Sequence, residues 1–295
     1  MTEWVWSLGI STSTVRRLSG GHENDSVLIV EAASHNRIVL RRSPRRTRAA
    51  VDCEIEFIHA AARAGVNVAV PLPIFDGDCS IDSPLGVVAA FSYVEGQKRM
   101  RPSSNDVYAL ARLLPSLHDA GIVVGADQRR GYRPFGDRIH GDLSSTPHGL
   151  ASLGELRRLH SAVDAMYEDG CRKDAVIVHG DLHPGNVLWS PAGEPTVIDF
   201  DDCYLGTHLD ECFAAARGYG FSASVPRVKL LRHLLGAALH VRGMRITERL
   251  AAECSYFYSA MLDSAARSGR ALRPRELIDL RRALACLQLD SRVFR

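Results

Sequence analysis

Residues 176–202 read VIVHGDLHPGNVLWSPAGEPTVIDFDD, and the polarity of that stretch changes in a definite order. It opens on an apolar, β-branched run that suits a buried strand. A polar loop follows, carrying Asp181 and Asn186. NVLW and TVIDF then form two strand-like runs separated by the turn segment SPAGEP. The second run ends at Asp199. A hairpin here folds the chain back beside its own loop. Asp181, Asn186 and Asp199 are therefore expected to converge.

Three oxygen-bearing side chains near one point suit phosphoryl transfer. Mg²⁺ takes hard oxygen ligands, and water and phosphate complete its shell. Asn186 and Asp199 can supply such oxygens. Asp181 can orient an acceptor hydroxyl and take its proton. The spacing D-x-x-x-x-N is that of kinase catalytic loops. Alone it is weak. It gains weight from the HGD that contains Asp181, the strand after Asn186, and Asp199 thirteen residues further on.

Working upstream, a first strand runs towards Ser19 and turns over Gly20 and Gly21. A second covers 26–31 and a third, RIVLRR, covers 37–42, which makes a small antiparallel sheet. Val51, Ile55, Ile58 and Ala62 recur at helical spacing, so 48–64 is expected to be a helix stopped by Gly65. VNVAVPLPIF at 66–75 is extended, and 85–96 is a buried strand. Beyond about residue 97 the character changes. A helix follows, capped by Ser104 or Asn105, and Pro115 is expected to bend or divide it. Residues 121–148 show few periodic positions, whereas 154–170 and 226–289 are helical in period. The expected class is α+β, with a strand-rich N-terminal lobe at 1–97 and a mainly helical C-terminal lobe at 98–295.

Composition narrows the function classes. The 295 residues are 46% hydrophobic and 24% charged, enough for a sizeable core. The 36 basic and 34 acidic side chains nearly cancel, which argues against a strongly electrostatic nucleic-acid binder and leaves room only for a local basic patch. The basic run RRSPRRTR at 41–48 lacks interleaved aromatics and reads as a solvated turn. Seven cysteines, an odd number with no CxxC pair, point to buried thiols in a reducing compartment. No apolar run reaches about 18 residues and the N-terminus lacks a signal pattern, so a cytoplasmic location without membrane contact is expected. Only Lys98, Lys173 and Lys229 are lysines, leaving 33 of the 36 basic residues as arginine. Any phosphate contact from the early strands must therefore come from arginine or from backbone N–H groups.

HGDLHPGN at 179–186 with VIDFDD at 197–202 resembles the aminoglycoside phosphotransferase family and its homoserine- and choline-kinase-like relatives. LSGGHEN at 18–24, RIVLRR, the helix with Glu54, and LLPSLH at 113–118 extend the likeness upstream. The resemblance implies a two-lobed protein-kinase-like fold and ATP with Mg²⁺ as cofactors, GTP remaining open. The partner it implies is a small-molecule hydroxyl acceptor: an amino sugar, a peptide antibiotic or an amino alcohol. A protein serine or threonine is the alternative acceptor, and a nucleotide-binding pseudokinase is a third reading, favoured by the missing lysine.

The resemblance also implies roles by position. Asp181 is the catalytic base, and Asn186 and Asp199 hold the metal. His179 organises the loop, and Asp210 in GTHLDECFAAA supports it from a helix start. Gly20, Gly21 and Asn24 form the nucleotide-covering turn. Arg41 stands where a lysine is usual, with Glu54 as its ion-pair partner. Arginine's planar fork can grip either phosphate or carboxylate. Arg42 belongs on the opposite face of the strand. Phe91, Tyr93 and Val94 lie at the expected hinge, where backbone groups read adenine. For His183 the readings are a loop-shaping hydrogen bond or a contact to phosphate or acceptor. For Asp201 and Asp202 they are a second metal or a cationic acceptor. His118 reads as a packed histidine, and Glu211 as either a cleft or an ordinary helix-surface residue.

Overall fold

The computed structural model describes residues 3–125, apart from 7, 11, 19–23 and 32–33, then 176–206 and positions 211, 215, 221–222 and 225–226. After a short helix α1 (Glu3–Trp6), five antiparallel strands form one sheet. They are β1 (Thr12–Arg17), β2 (Asp25–Glu31), β3 (Arg37–Ser43), β4 (Ser80–Ser83) and β5 (Gly86–Ser92), in the order β1-β2-β3-β5-β4. The period-two alternation of strands divides this sheet cleanly. Val27, Ile29, Ile38, Leu40, Val88 and Ala90 pack on one face with Trp4. Val39, Val87, Ala89 and Phe91 join the other core, against helix α2 (Arg48–Arg63). Arg41 pairs with Ala89 across the ladder and so shares that second face.

The α2 helix begins where Thr47 Oγ1 accepts the Ala50 N–H at 3.3 Å. It stops at Gly65, whose φ of 84° lies in the left-handed region glycine tolerates. Its buried face carries Val51, Ile55, Phe57, Ile58 and, among these apolar groups, Glu54. The expected helix at 48–64 is therefore observed one residue shorter. Residues 66–75 are extended, and the Val197 N–H reaches the Asn67 carbonyl at 2.9 Å. The sheet thereby touches the second region of the chain.

That second region starts with β6 (Gln97–Lys98) and helix α3 (Ser104–Gly125). Ser103 and Asp106 exchange hydrogen bonds, from Ser103 N to Asp106 Oδ2 at 2.7 Å and from Asp106 N to Ser103 Oγ at 3.3 Å. This reciprocal cap falls on Ser103, one residue before the expected Ser104 or Asn105, and the helix begins at Ser104. Pro115 does not divide α3, which is a single helix through that position. Leu110, Ala111, Leu114 and Leu117 bury its length in the core, and that packing outweighs the one lost N–H. The helix also enters the segment where little pattern was expected. Its Gly121 meets strand β7 (Val176–Val178) so closely that a Cβ there would lie 2.0 Å from the Ile177 carbonyl oxygen.

A hairpin follows, with strands β8 (Val187–Trp189) and β9 (Pro195–Val197). Both are shorter than the apolar runs suggested. The second strand ends at Val197, not at Asp199. β6 adds to β8, and β10 (Tyr204–Gly206) pairs with β7. Among the described residues no helix is long and apolar enough to cross a membrane. The helices expected at 154–170 and 226–289 lie almost wholly outside the described residues, as do Gly20, Gly21 and Asp210.

Candidate active site

Strand β7 delivers the chain to His179 and Gly180. Gly180 has a φ of 78°, and a Cβ there would meet the Tyr204 ring at 2.5 Å and the Asp202 carbonyl at 2.7 Å. Only glycine allows this turn. His179 is fully buried. Its Nε2 lies 3.1 Å from the Ile198 carbonyl, and its Nδ1 accepts the Asp181 N–H at 3.3 Å. Those partners define a neutral ring that donates from Nε2. Burial also pushes its pKa below the usual 6.5. The backbone N–H of His179 donates to the Glu211 carboxylate.

The loop then closes on itself. His183 Nδ1 accepts the Gly185 N–H at 2.8 Å, and its Nε2 lies 3.3 Å from Asp181 Oδ2. Asn186 Nδ2 donates to the Asp181 carbonyl at 3.0 Å and to Asp181 Oδ2 at 3.3 Å. The Asn186 carbonyl accepts the Ile198 N–H at 3.0 Å, which brings the residue before Asp199 alongside. Asp181 is thus held by two side chains. Its own side chain is 22% exposed. His183 performs the loop-shaping role in this arrangement.

Asp199 lies beyond the end of β9 in a left-handed conformation, φ 65°, rare for a non-glycine residue. Its carboxylate is 41% exposed, and its Oδ1 is 3.9 Å from Arg41 Nη1. Arg41 Nη2 meets Glu54 Oε2 at 2.7 Å, and Arg46 Nη1 binds the same oxygen. Glu54 is fully buried. Burial alone would raise its pKa, but the two guanidinium groups hold it below the ordinary value. The Arg41 guanidinium also lies 4.9 Å from the Phe91 ring centroid. Arg42 faces the other way, as the strand register requires, and pairs with Asp25.

Asn24, just before β2, donates to Asp201 Oδ2 at 2.6 Å, which ties the start of that strand to the segment bearing Asp199. Burial, then the charge on Asp199, pushes the Asp201 pKa up to about 7. Asp202 is exposed, and its carbonyl oxygen packs close against Gly180. Of the hinge candidates, Phe91 lies within β5 under Arg41. The Tyr93 N–H donates to the Arg37 carbonyl at 3.3 Å, and Val94 is half-buried beyond the strand.

The residues fit a divalent ion held partly by phosphate. The Nδ2 of Asn186 is committed to Asp181, which leaves its amide oxygen as the ligand atom. Asp199 adds a solvent-accessible carboxylate. Both are hard oxygen donors of the kind Mg²⁺ uses. Among the described residues no three His, Cys, Asp or Glu side chains form a cage by themselves.

Two residues depart from their sequence reading. Arg46 belongs to the run read as a solvated turn, yet it reaches buried Glu54 and is only 18% exposed. Glu211 was expected to line a cleft or the helix surface, yet it is fully buried and supports His179. The signal available was its place beside Asp210, in a segment already expected to brace the loop. His118 is buried as expected.

A family model described as a phosphotransferase enzyme family matches residues 14–252. Comparison with curated proteins gave no match. Among solved structures, an amicoumacin kinase in complex with AMP-PNP and Ca²⁺ is similar at 16% identity. It covers 98% of this chain and 93% of its own, with a TM-score of 0.72. A microcompartment-associated aminopropanol kinase is 18% identical, covers 96% and 95%, and has a TM-score of 0.65. A choline kinase from Streptococcus pneumoniae is 15% identical, covers 97% of both chains, and has a TM-score of 0.61. The α+β, two-lobed protein-kinase-like fold expected from the sequence is the fold these likenesses show.

Proposed function

The chain belongs to the phosphotransferase enzyme family, and on that premise we propose that it moves the γ-phosphoryl group of ATP to a hydroxyl of a small polar molecule. The observation that carries this reading is the meeting of two groups. One is the Asp181 carboxylate braced by His183 and Asn186. The other is Asp199, 3.9 Å from an arginine anchored on buried Glu54.

In the proposed reaction Asp181 orients the acceptor hydroxyl and takes its proton as the new P–O bond forms and ADP leaves. Asn186 and Asp199 would hold Mg²⁺, whose chemistry there is to neutralise charge on the β and γ oxygens. Arg41 positions phosphate. Gly20, Gly21 and Asn24 would cover the nucleotide. Val94 is the hinge residue best placed beyond β5 to offer backbone groups to adenine or guanine. We place the lobe boundary at residues 97 and 98, where β6 pairs with the catalytic hairpin. The acceptor is drawn from amino alcohols, amino sugars and peptide antibiotics. The amicoumacin, aminopropanol and choline kinases among the structural neighbours favour an amine-bearing alcohol. The enzyme is placed in the cytoplasm, where ATP is available.

The test is phosphate transfer from ATP across a panel of those three acceptor classes, with Asp181→Ala run beside the natural chain. Transfer that depends on Asp181 supports the reading. Equal turnover by both chains would sink it.

A further inference from the structure

The arginine that replaces the usual lysine creates a problem of geometry. An arginine fork next to a carboxylate prefers to pair through two parallel N–H···O bonds. If Arg41 did so with Glu54, its guanidinium would be consumed by the helix and turned from the phosphate site. In this structure it is not consumed. Only Nη2 bonds Glu54, while Nη1 lies 3.9 Å from Asp199. Its Nε is buried with no hydrogen-bond partner among the described residues.

A second arginine shares this carboxylate through Oε2, while Glu54 Oε1 is buried with no hydrogen-bond partner among the described residues. Arg46 Nη1 binds the same Glu54 Oε2 that Arg41 uses, and Arg46 Nη2 donates to the Ala50 carbonyl at 3.1 Å. Ala50 lies one turn before Glu54 on α2, so Arg46 grips the helix backbone and its carboxylate together. Two guanidinium groups meet the buried Glu54 carboxylate, and Arg41 also faces the Asp199 carboxylate at 3.9 Å, so Glu54 alone does not satisfy both cations. A buried cation with unused donors is costly unless an anion meets it.

We propose that Arg46 is a positioning residue that neutralises Glu54 from the helix side and so keeps one edge of the Arg41 fork free for a nucleotide phosphate. The inference rests on the ATP-dependent reading above and specifies how an arginine serves at position 41. Arg46 touches no substrate in this role and acts through Arg41.

Calorimetry on the full chain tests it, with Mg²⁺–AMP-PNP and adenosine as separate probes. Arg46→Ala should weaken Mg²⁺–AMP-PNP about tenfold, the scale of one charge-assisted hydrogen bond, and leave adenosine within about twofold. Arg46→Lys should recover most of the loss. Adding Arg41→Lys to Arg46→Ala should also recover affinity, because an ammonium cannot fork onto Glu54. If Arg46→Ala binds Mg²⁺–AMP-PNP as the natural chain does, or loses both probes equally, the inference is overturned while the phosphotransferase reading stands. If Arg46→Ala fails to fold, the Arg46→Lys chain decides: loss of both probes together overturns the proposal. A natural chain that binds adenosine and not Mg²⁺–AMP-PNP would overturn the nucleotide reading and this inference with it.

Discussion

Between His179 and Asn186 the contacts that hold Asp181 span two to five residues, and His179 reaches further, to Ile198 and Glu211. The charged cluster opposite is built in another way. Arg41 comes from β3, Arg46 from the turn after it, Glu54 from α2 and Asp199 from the end of a distant hairpin. The loop's geometry is local, so it survives small shifts between regions. The cluster exists only when α2 docks on the sheet and the hairpin docks on both. On the proposed function, chemistry that must not drift sits in the loop, and charge that must meet a ligand sits where the regions join.

The largest test of that division is Asp181→Ala. Loss of the proposed general base is expected to lower kcat by about 10³-fold while Mg²⁺–AMP-PNP binding and the unfolding midpoint stay near those of the natural chain. A comparable loss of stability would mean that the loop is structural and not local. Glu54→Gln attacks the other region. It leaves two arginines facing a neutral amide in a fully buried position, and breaking such a pair costs about 3 kcal/mol. Urea denaturation should read that loss, and an unchanged midpoint would show that the cluster does not hold α2.

A smaller effect is expected from Gly185→Ala. The added Cβ would lie 2.5 Å from the His183 ring. The ring must swing away from Asp181, so turnover should fall about tenfold with a stability change under about 1 kcal/mol. A stability loss larger than the activity loss would contradict the local character of the loop. The mildest test is pH. The unfolded His179 imidazole takes a proton near 6.5, and the buried one only at lower pH. The unfolded state therefore binds more protons as pH falls through that window. Its contribution to stability is complete above 6.5 and declines below it, by up to about 1.4 kcal/mol per pH unit. His179→Gln should flatten that slope in denaturation curves taken between pH 5 and about 7.

The contrast also explains what could be read in advance. Asp181, Asn186 and Asp199 stand at a spacing tied to one hairpin, and the turn residues of that hairpin are visible in SPAGEP. The α2 helix announced itself by periodicity and by its glycine stop. Arg46 did not. Inside RRSPRRTR it looks like one solvated charge among five arginines, because its carboxylate partner sits on the far side of a helix turn. Glu211 was missed for the same reason, its partner being a backbone N–H on another element. Ser103 displaced Ser104 as the cap because Asp106, three residues on, returns the bond. Pro115 was read as a bend or a division because its cost is local, whereas the leucines that offset it act through packing.

The amino-acid sequence by itself determined the strand-loop-hairpin that holds Asp181, Asn186 and Asp199, the periodicity of α2, and the absence of any lysine before residue 98. All three depend on composition and short-range spacing, which are present before the chain folds. Tertiary structure decided how Arg41 is used. It set Arg46 beside it on one oxygen of Glu54 and left Arg41 Nη1 toward Asp199. Charge pairing acts between side chains brought close in space, and spacing along the chain carries no record of that distance.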